Sequence, residues 1–364
     1  MGIGSVERHI RKGSLDQLKA SDFQRVKEVL EAGNIPEATE RVKLLHQVNL
    51  GVTGTFLEWC VALPHILAKE GYAAQEPLIT KAAYSVWKKS TLPDILGDAL
   101  KREAFEITDT TLRILNSCTI GGYRSKKYAH PPQPNPETSF LAGPQQMYAA
   151  IMGGLAEKDC KETFTYFSDY FKQMRVRHDL ARDFIHFYVS AIQQRFDQKT
   201  GITVQQKSLE SCPFVKEFLW GTVRRLSPEG TAAFVAEHLR AHFSGPNREG
   251  SVEIVDEGDS YIARFAPCGT GQALRLKLGE SISKFPSASP ETWNLANEVP
   301  PYCSHCAVNE LTSITIMGYP AWVTEFNPDP SKPCGWRIFK DHHNIPQKYW
   351  GRLGMEKPIT FAKK

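Results

Sequence analysis

Several signals that would assign a chain quickly are missing here. No apolar run reaches the ~18 residues of a membrane span. The stretch from Met1 to His9 has no apolar core of the kind a signal peptide needs. Val6 stands where N-myristoylation of Gly2 requires Ser or Thr. There is no Walker or dinucleotide-binding loop. Net positive charge is small, +4 over 364 residues, and the basic residues gather only in clusters as short as Arg124-Ser125-Lys126-Lys127 and Arg175-Val176-Arg177. These absences argue against membrane, nucleic acid and nucleotide as partners, and nothing in the sequence sets an oligomeric state. The expected location is the cytoplasm, where thiols stay reduced and cysteines serve as metal ligands, catalytic groups or core residues.

What is present is an ordinary globular composition, 41% hydrophobic and 23% charged, long enough for two domains. Helical periodicity marks segments near 21–32, 36–69, 76–90 and 94–102. Pro64 should kink or break the second, and Gly71 should stop it. Gly121-Gly122, Pro131-Pro132, Pro134, Pro136 and Gly143-Pro144 then crowd into an expected extended connection, 117–144. Helical patterning resumes over 145–157, 161–173, 177–196, 214–226 and 228–243. The two helical halves share an order of elements and read as a diverged tandem repeat: unit one over 1–116, unit two over 145–248. The competing reading is that any two helical hairpins look alike.

Near Gly250 the pattern becomes alternating. Val252–Val255, Tyr261–Phe265, Ala273–Leu278, Ala321–Phe326 and Trp336–Lys340 read as strands. The expected class is therefore α+β: a mainly helical N-terminal two-thirds and a small antiparallel, cysteine-rich α+β domain over 249–364.

Four of the eight cysteines fall in that last domain, each beside turn residues: Pro267-Cys268-Gly269, Tyr302-Cys303-Ser304-His305-Cys306 and Pro333-Cys334-Gly335. A Cys-x-x-Cys turn offers two thiolates to one centre, and two more cysteines complete the set that zinc prefers. Cys268, Cys303, Cys306 and Cys334 are the candidate zinc ligands. His305 or Glu325 could replace one of them. A redox dithiol and plain core thiols are the alternatives. Cys60, Cys118, Cys160 and Cys212 are scattered and read as core residues.

A second constellation lies on one predicted helix. Asp179, Asp183 and His186 share a face by their spacing of four and three, with His178 and Arg182 on the next ridge. A carboxylate fixes the tautomer of a neighbouring imidazole and raises its basicity, which suits a general base. His178 with Asp179, and His46 at the matching place in the first half, are the candidate catalytic residues. The plainer reading makes the aspartates a solvated helix start and His186 a buried structural group. His342-His343 after Asp341 reads as surface. The Gly269-Thr270-Gly271 turn, with Arg275 nearby, could offer N–H groups to an anion.

The stretch from Cys303 to Phe339 resembles the vinyl-reductase-type ligand-binding domain, through Tyr302-Cys303-Ser304-His305-Cys306, Trp322-Val323-Thr324-Glu325 and Cys334 with Trp336-Arg337-Ile338-Phe339. It is also similar to the aminothiazoline-carboxylate hydrolase group. The resemblance implies a small α+β fold, a cysteine-bound zinc and a small-molecule pocket. It departs where that domain carries a cysteine pair near its glutamate, since only Cys334 follows Glu325. The functional expectation is a zinc-dependent hydrolase or lyase acting on a small polar compound, aromatic or heterocyclic. The alternative is a sensing or structural zinc domain without catalysis.

Overall fold

The computed structural model describes residues 19–91, 142–212, 215, 219–265 and 267–359. The expected helix at 94–102, most of the connection at 117–144, and Cys118 lie outside them. The chain is α+β: mainly helical, with one four-stranded antiparallel sheet toward the C-terminus. Its contacts group it into two compact units, Val26–Tyr188 and Val189–Lys364 joined by the described residues up to Arg25. That grouping differs from the four-part division by sequence. The reason lies partly in helix α8 (Pro228–Ala241), which packs on the strands Ser260–Phe265 and Cys334–Phe339 rather than with the helices before it.

The chain opens with α1 (Asp22–Glu31), whose first turn donates the Gln24 N–H to Ser21 Oγ at 3.0 Å. Helix α2 (Ile35–Leu67) starts on Asn34, whose side chain accepts from Glu37 N, with Pro36 in its first turn. It passes through Pro64 without ending there. The chain bends instead over the π-turn Ala68–Tyr72, where Gly71 has φ +98°. This helix and its turn are long and apolar enough to cross a membrane, and half of the apolar window is buried inside the protein. Helix α3 (Glu76–Thr91) and helix α4 (Ala142–Glu157) follow, each touching or close to α2.

Helix α5 runs unbroken from Cys160 to Arg195, where the sequence suggested two segments. Within the first unit its buried face carries Phe167, Tyr170, Phe171, Met174, Phe184, Ile185 and Tyr188. Each such side chain contributes about 1.5–3 kcal/mol on burial. Asp179 and Asp183 therefore sit in mid-helix rather than at a helix start, and both are buried.

In the second unit, α6 (Gln198–Ser211) is capped by Asp197, and a short α7 spans Trp220–Val223. Strands β1 (Glu253–Asp256) and β2 (Ser260–Phe265) form a hairpin. The Ala273–Leu278 segment, expected as a strand, is instead part of helix α9 (Gly271–Leu278). Helix α10 (His305–Met317) precedes β3 (Val323–Glu325) and β4 (Cys334–Phe339), and a short α11 (Gln347–Gly351) ends the described fold. The strand order is β1-β2-β4-β3, so β4 is the inner strand that joins the hairpin to β3.

Candidate metal centre

Sheet register delivers two of the four cysteines. Phe265 at the end of β2 pairs with Cys334 at the start of β4, and Cys268 follows three residues after Phe265. Gln272, buried on α9, ties the two loops together. Its Oε1 accepts the Cys268 N–H at 2.8 Å, and its Nε2 donates to the carbonyls of Pro330 and Lys332 at 2.7 and 3.0 Å. The turn between them needs glycine. A Cβ on Gly269 would lie 1.6 Å from the His242 carbonyl, and one on Gly271 would lie 2.6 Å from Cys303 Sγ.

The other pair comes from a different direction. Pro301–Ser304 forms a 3-10 turn that runs straight into α10, so Cys303 lies in the turn and Cys306 in the helix's first turn. Gln205 of α6 grips this turn with both ends of its amide: Nε2 donates to Pro301 O at 2.7 Å, and Oε1 accepts from Ser304 Oγ at 2.6 Å. Glu310, one turn later on α10, accepts from Trp293 Nε1, Thr324 N and Arg352 Nη2 at 3.1, 2.7 and 2.6 Å. It fixes the helix to β3. Burial pushes its carboxyl up, against the opposing pull of Arg352.

All four thiols line one cavity of about 40 Å³. Its wall also carries His238, His242 and His305, the polar Thr270, Gln272, Arg275 and Thr324, and the rings of Trp293, Phe326 and Trp336. His305 Nδ1 lies 2.5 Å from the Tyr302 carbonyl, which can only accept, so Nδ1 carries the proton. Nε2 then keeps a lone pair, 3.5 Å from Cys306 Sγ. Burial lowers the pKa of His305 to about 4, with the Tyr302 contact pulling the other way. The Cys306 thiol is pushed well up, first by burial and then by the neighbouring Cys268, Cys303 and Cys334. Mutual repulsion of this kind is relieved by a cation at the centre. Cys334 is also pushed up by burial, although its sulfur accepts from Asn327 N at 3.4 Å and from Arg275 Nη2 at 3.6 Å.

The sequence missed the histidine pair. His238 on α8 and His242, which caps that helix, are one turn apart, with their Nε2 atoms 3.0 Å from each other, so one imidazole donates and the other accepts. His238 stacks between Phe234 and Trp336, and Trp336 continues through Trp322 to Trp220 in a column of rings. The i, i+4 spacing was the available signal.

The residues singled out elsewhere fare differently. Glu325 does not line the cavity; it accepts from Arg337 Nε at 2.7 Å and Tyr349 OH at 3.0 Å. Arg275 is turned to the chain rather than to a glycine-turn anion, donating to Asn327 O and Pro328 O at 2.6 and 3.1 Å. In the first unit, His178 is fully buried against Phe56 and bonds Asp179 Oδ1 at 3.0 Å. Arg182 bridges Asp179 at 3.1 Å and Asp183 at 2.8 Å through Nε. A base must be reachable by substrate, and this buried network is not. His46 stacks on Tyr148 with ring centres 3.8 Å apart and bonds Tyr170 OH at 2.9 Å; burial lowers its pKa to about 4. Cys60 and Cys212 are buried and satisfied by the carbonyls of Ala181 and Ser208.

Thiolates are the donors that zinc prefers, but their spacing here is wide. Four sulfurs at ~2.3 Å from one ion stand about 3.8 Å apart. Among the described residues, only Asp341, His342 and His343 bring three ligating atoms within 4.8 Å of one another, on a largely exposed turn. The four thiols therefore fit a metal by chemistry, and as they stand they do not fit a single zinc by distance. The chain matches no family model, no curated protein and no solved structure.

Proposed function

We propose that this chain is a metal-dependent enzyme, a hydrolase or lyase acting on a small polar compound with an aromatic or heterocyclic ring. One observation carries the reading: Cys268, Cys303, Cys306 and Cys334 converge on a cavity that three histidines also line. Thiolate and imidazole are ligands that metal ions such as zinc take, and a metal held by them would supply Lewis-acid chemistry. The wall supplies the rest. Trp293 and Phe326 stack with centres 5.0 Å apart and give a flat face for a ring. Thr324 Oγ1 offers a hydrogen bond to a polar substituent. The His238–His242 pair holds one proton between two nitrogens, the arrangement a general acid or base needs. It replaces His178 and His46 as the proposed proton carrier.

Four cysteines make a closed ligand set, and that favours a second reading, a sensing or structural metal domain. The finer architecture is also proposed: two long helices, Ile35–Leu67 and Cys160–Arg195, support a diverged tandem repeat. Free thiols at all the described cysteines are in keeping with a cytoplasmic location. Turnover of a panel of small aromatic and heterocyclic amides and ring-closed thio compounds by metal-replete protein tests the enzyme reading. His242→Ala should lower turnover by ~10²–10⁴-fold while metal content holds. Binding of panel members without turnover of any supports the sensing alternative.

A further inference from the structure

Resting on the reading that the four cysteines hold metal, we propose that what they hold is an iron–sulfur cluster rather than a lone zinc. Three observations point the same way. The first is spacing. No three of the four sulfurs belong to a group within 4.8 Å, whereas around one zinc every pair stands about 3.8 Å apart. A cluster spreads its thiolates over several irons and so needs a wider ring.

The second is room. The cavity of about 40 Å³ is some three times the space one water occupies, ~10–15 Å³ on the same measure. A lone ion touching four sulfurs needs no such space, and bridging sulfides do.

The third is the set of donors. Arg275 and Trp336, each 4% exposed, line the cavity, and neither Arg275 Nε nor Trp336 Nε1 has a hydrogen-bond partner. A buried donor left in this state costs about 1–3 kcal/mol. Sulfides and cysteine sulfurs of a cluster accept such hydrogen bonds, and these set its potential. The Arg275 guanidinium also brings positive charge to a centre whose four thiolates are negative. It already donates to Cys334 Sγ at 3.6 Å, beside the Asn327 N–H. Gly271 completes the fit, since any side chain there would meet Cys303 Sγ.

The test is the full chain, produced and purified without oxygen, assayed for iron, acid-labile sulfide and zinc. Two or four irons per chain with equal sulfide, and visible charge-transfer absorption that dithionite bleaches by giving the cluster one electron, is the expected result. Cys303→Ser should lose iron and colour. If that variant does not fold, Arg275→Gln and Trp336→Phe keep the question open to experiment. Each should retain iron and lower the reduction potential, because a donor to the sulfurs is gone. An unchanged potential in both overturns the role given to these donors. One zinc per chain with no sulfide overturns the cluster and leaves the thiolate metal centre standing. Protein that folds with no metal at all overturns both.

Discussion

The two units each bury a cluster of chemistry-bearing side chains, and they differ in whether those groups satisfy one another. In the helix α5 cluster, one arginine bonds both aspartates and one aspartate orients His178, so each of these groups has a partner within the cluster. In the cysteine cavity the groups repel or go unmatched: Cys268, Cys303 and Cys334 raise the cost of ionising Cys306, and Arg275 Nε, Thr324 Oγ1 and Trp336 Nε1 lack partners. A matched cluster is a strut, at the expense of desolvating its charges. An unmatched one leaves donors and acceptors that a bound group could satisfy.

Substitutions can press on that contrast. Cys303→Ser should have the largest effect: loss of bound metal and a lower melting temperature, because ligand binding is folding free energy at such sites. Metal analysis beside calorimetry reads it, and a variant that keeps its metal breaks the contrast. Arg182→Met comes next. It strands two buried carboxylates and should destabilise by ~3–5 kcal/mol in denaturant titration, with metal content unchanged. Gly269→Ala should cost roughly 1–3 kcal/mol or more, since its Cβ has no room beside His242 O, and should weaken metal retention too.

The smallest effect is on pH. His186 is wholly buried, and burial lowers its pKa to about 4 from 6.5. A histidine whose folded pKa is depressed favours the neutral native form. Its contribution is complete above pH 6.5 and is lost as pH falls toward 4, where the unfolded chain takes the proton first. Urea midpoints measured from pH 7 to 4.5 should fall across that window. The slope should flatten in His186→Gln, and an equal slope in both proteins sinks the assignment.

Much of this was readable in the residues. Leu45, Val52, Phe56, Trp59, Leu63 and Ile66 spell out the buried face of α2, and the strands around Glu257-Gly258-Asp259 follow from alternation. The cysteines of the last domain were grouped from their turns, and they line one cavity. The failures have physical causes. Ala-Leu-Arg-Leu-Lys-Leu alternates like a strand, but it forms a helix that buries Leu274 and Arg275 and exposes Leu276. Glu325 stands near the cysteines in sequence, yet Arg337 and Tyr349 hold it away from the cavity. His238 and His242 were not singled out, because only the tertiary fold brings Trp336 and the cysteines to them. Asp179 was legible as a partner of His178, but its burial was not, since nothing in the local pattern breaks α5 where a helix start was expected.

The strand order β1-β2-β4-β3 bears on how the protein is made. During synthesis β3 emerges before β4, yet β4 is its sheet neighbour, and the hairpin β1-β2 waits with one edge bare. The strand that closes the sheet is also the one that begins with Cys334. A nascent chain has three of its four thiols in hand and an open sheet edge until residues 334–339 clear the ribosome. Completion of the sheet and arrival of the fourth cavity thiol are then one event, late in synthesis.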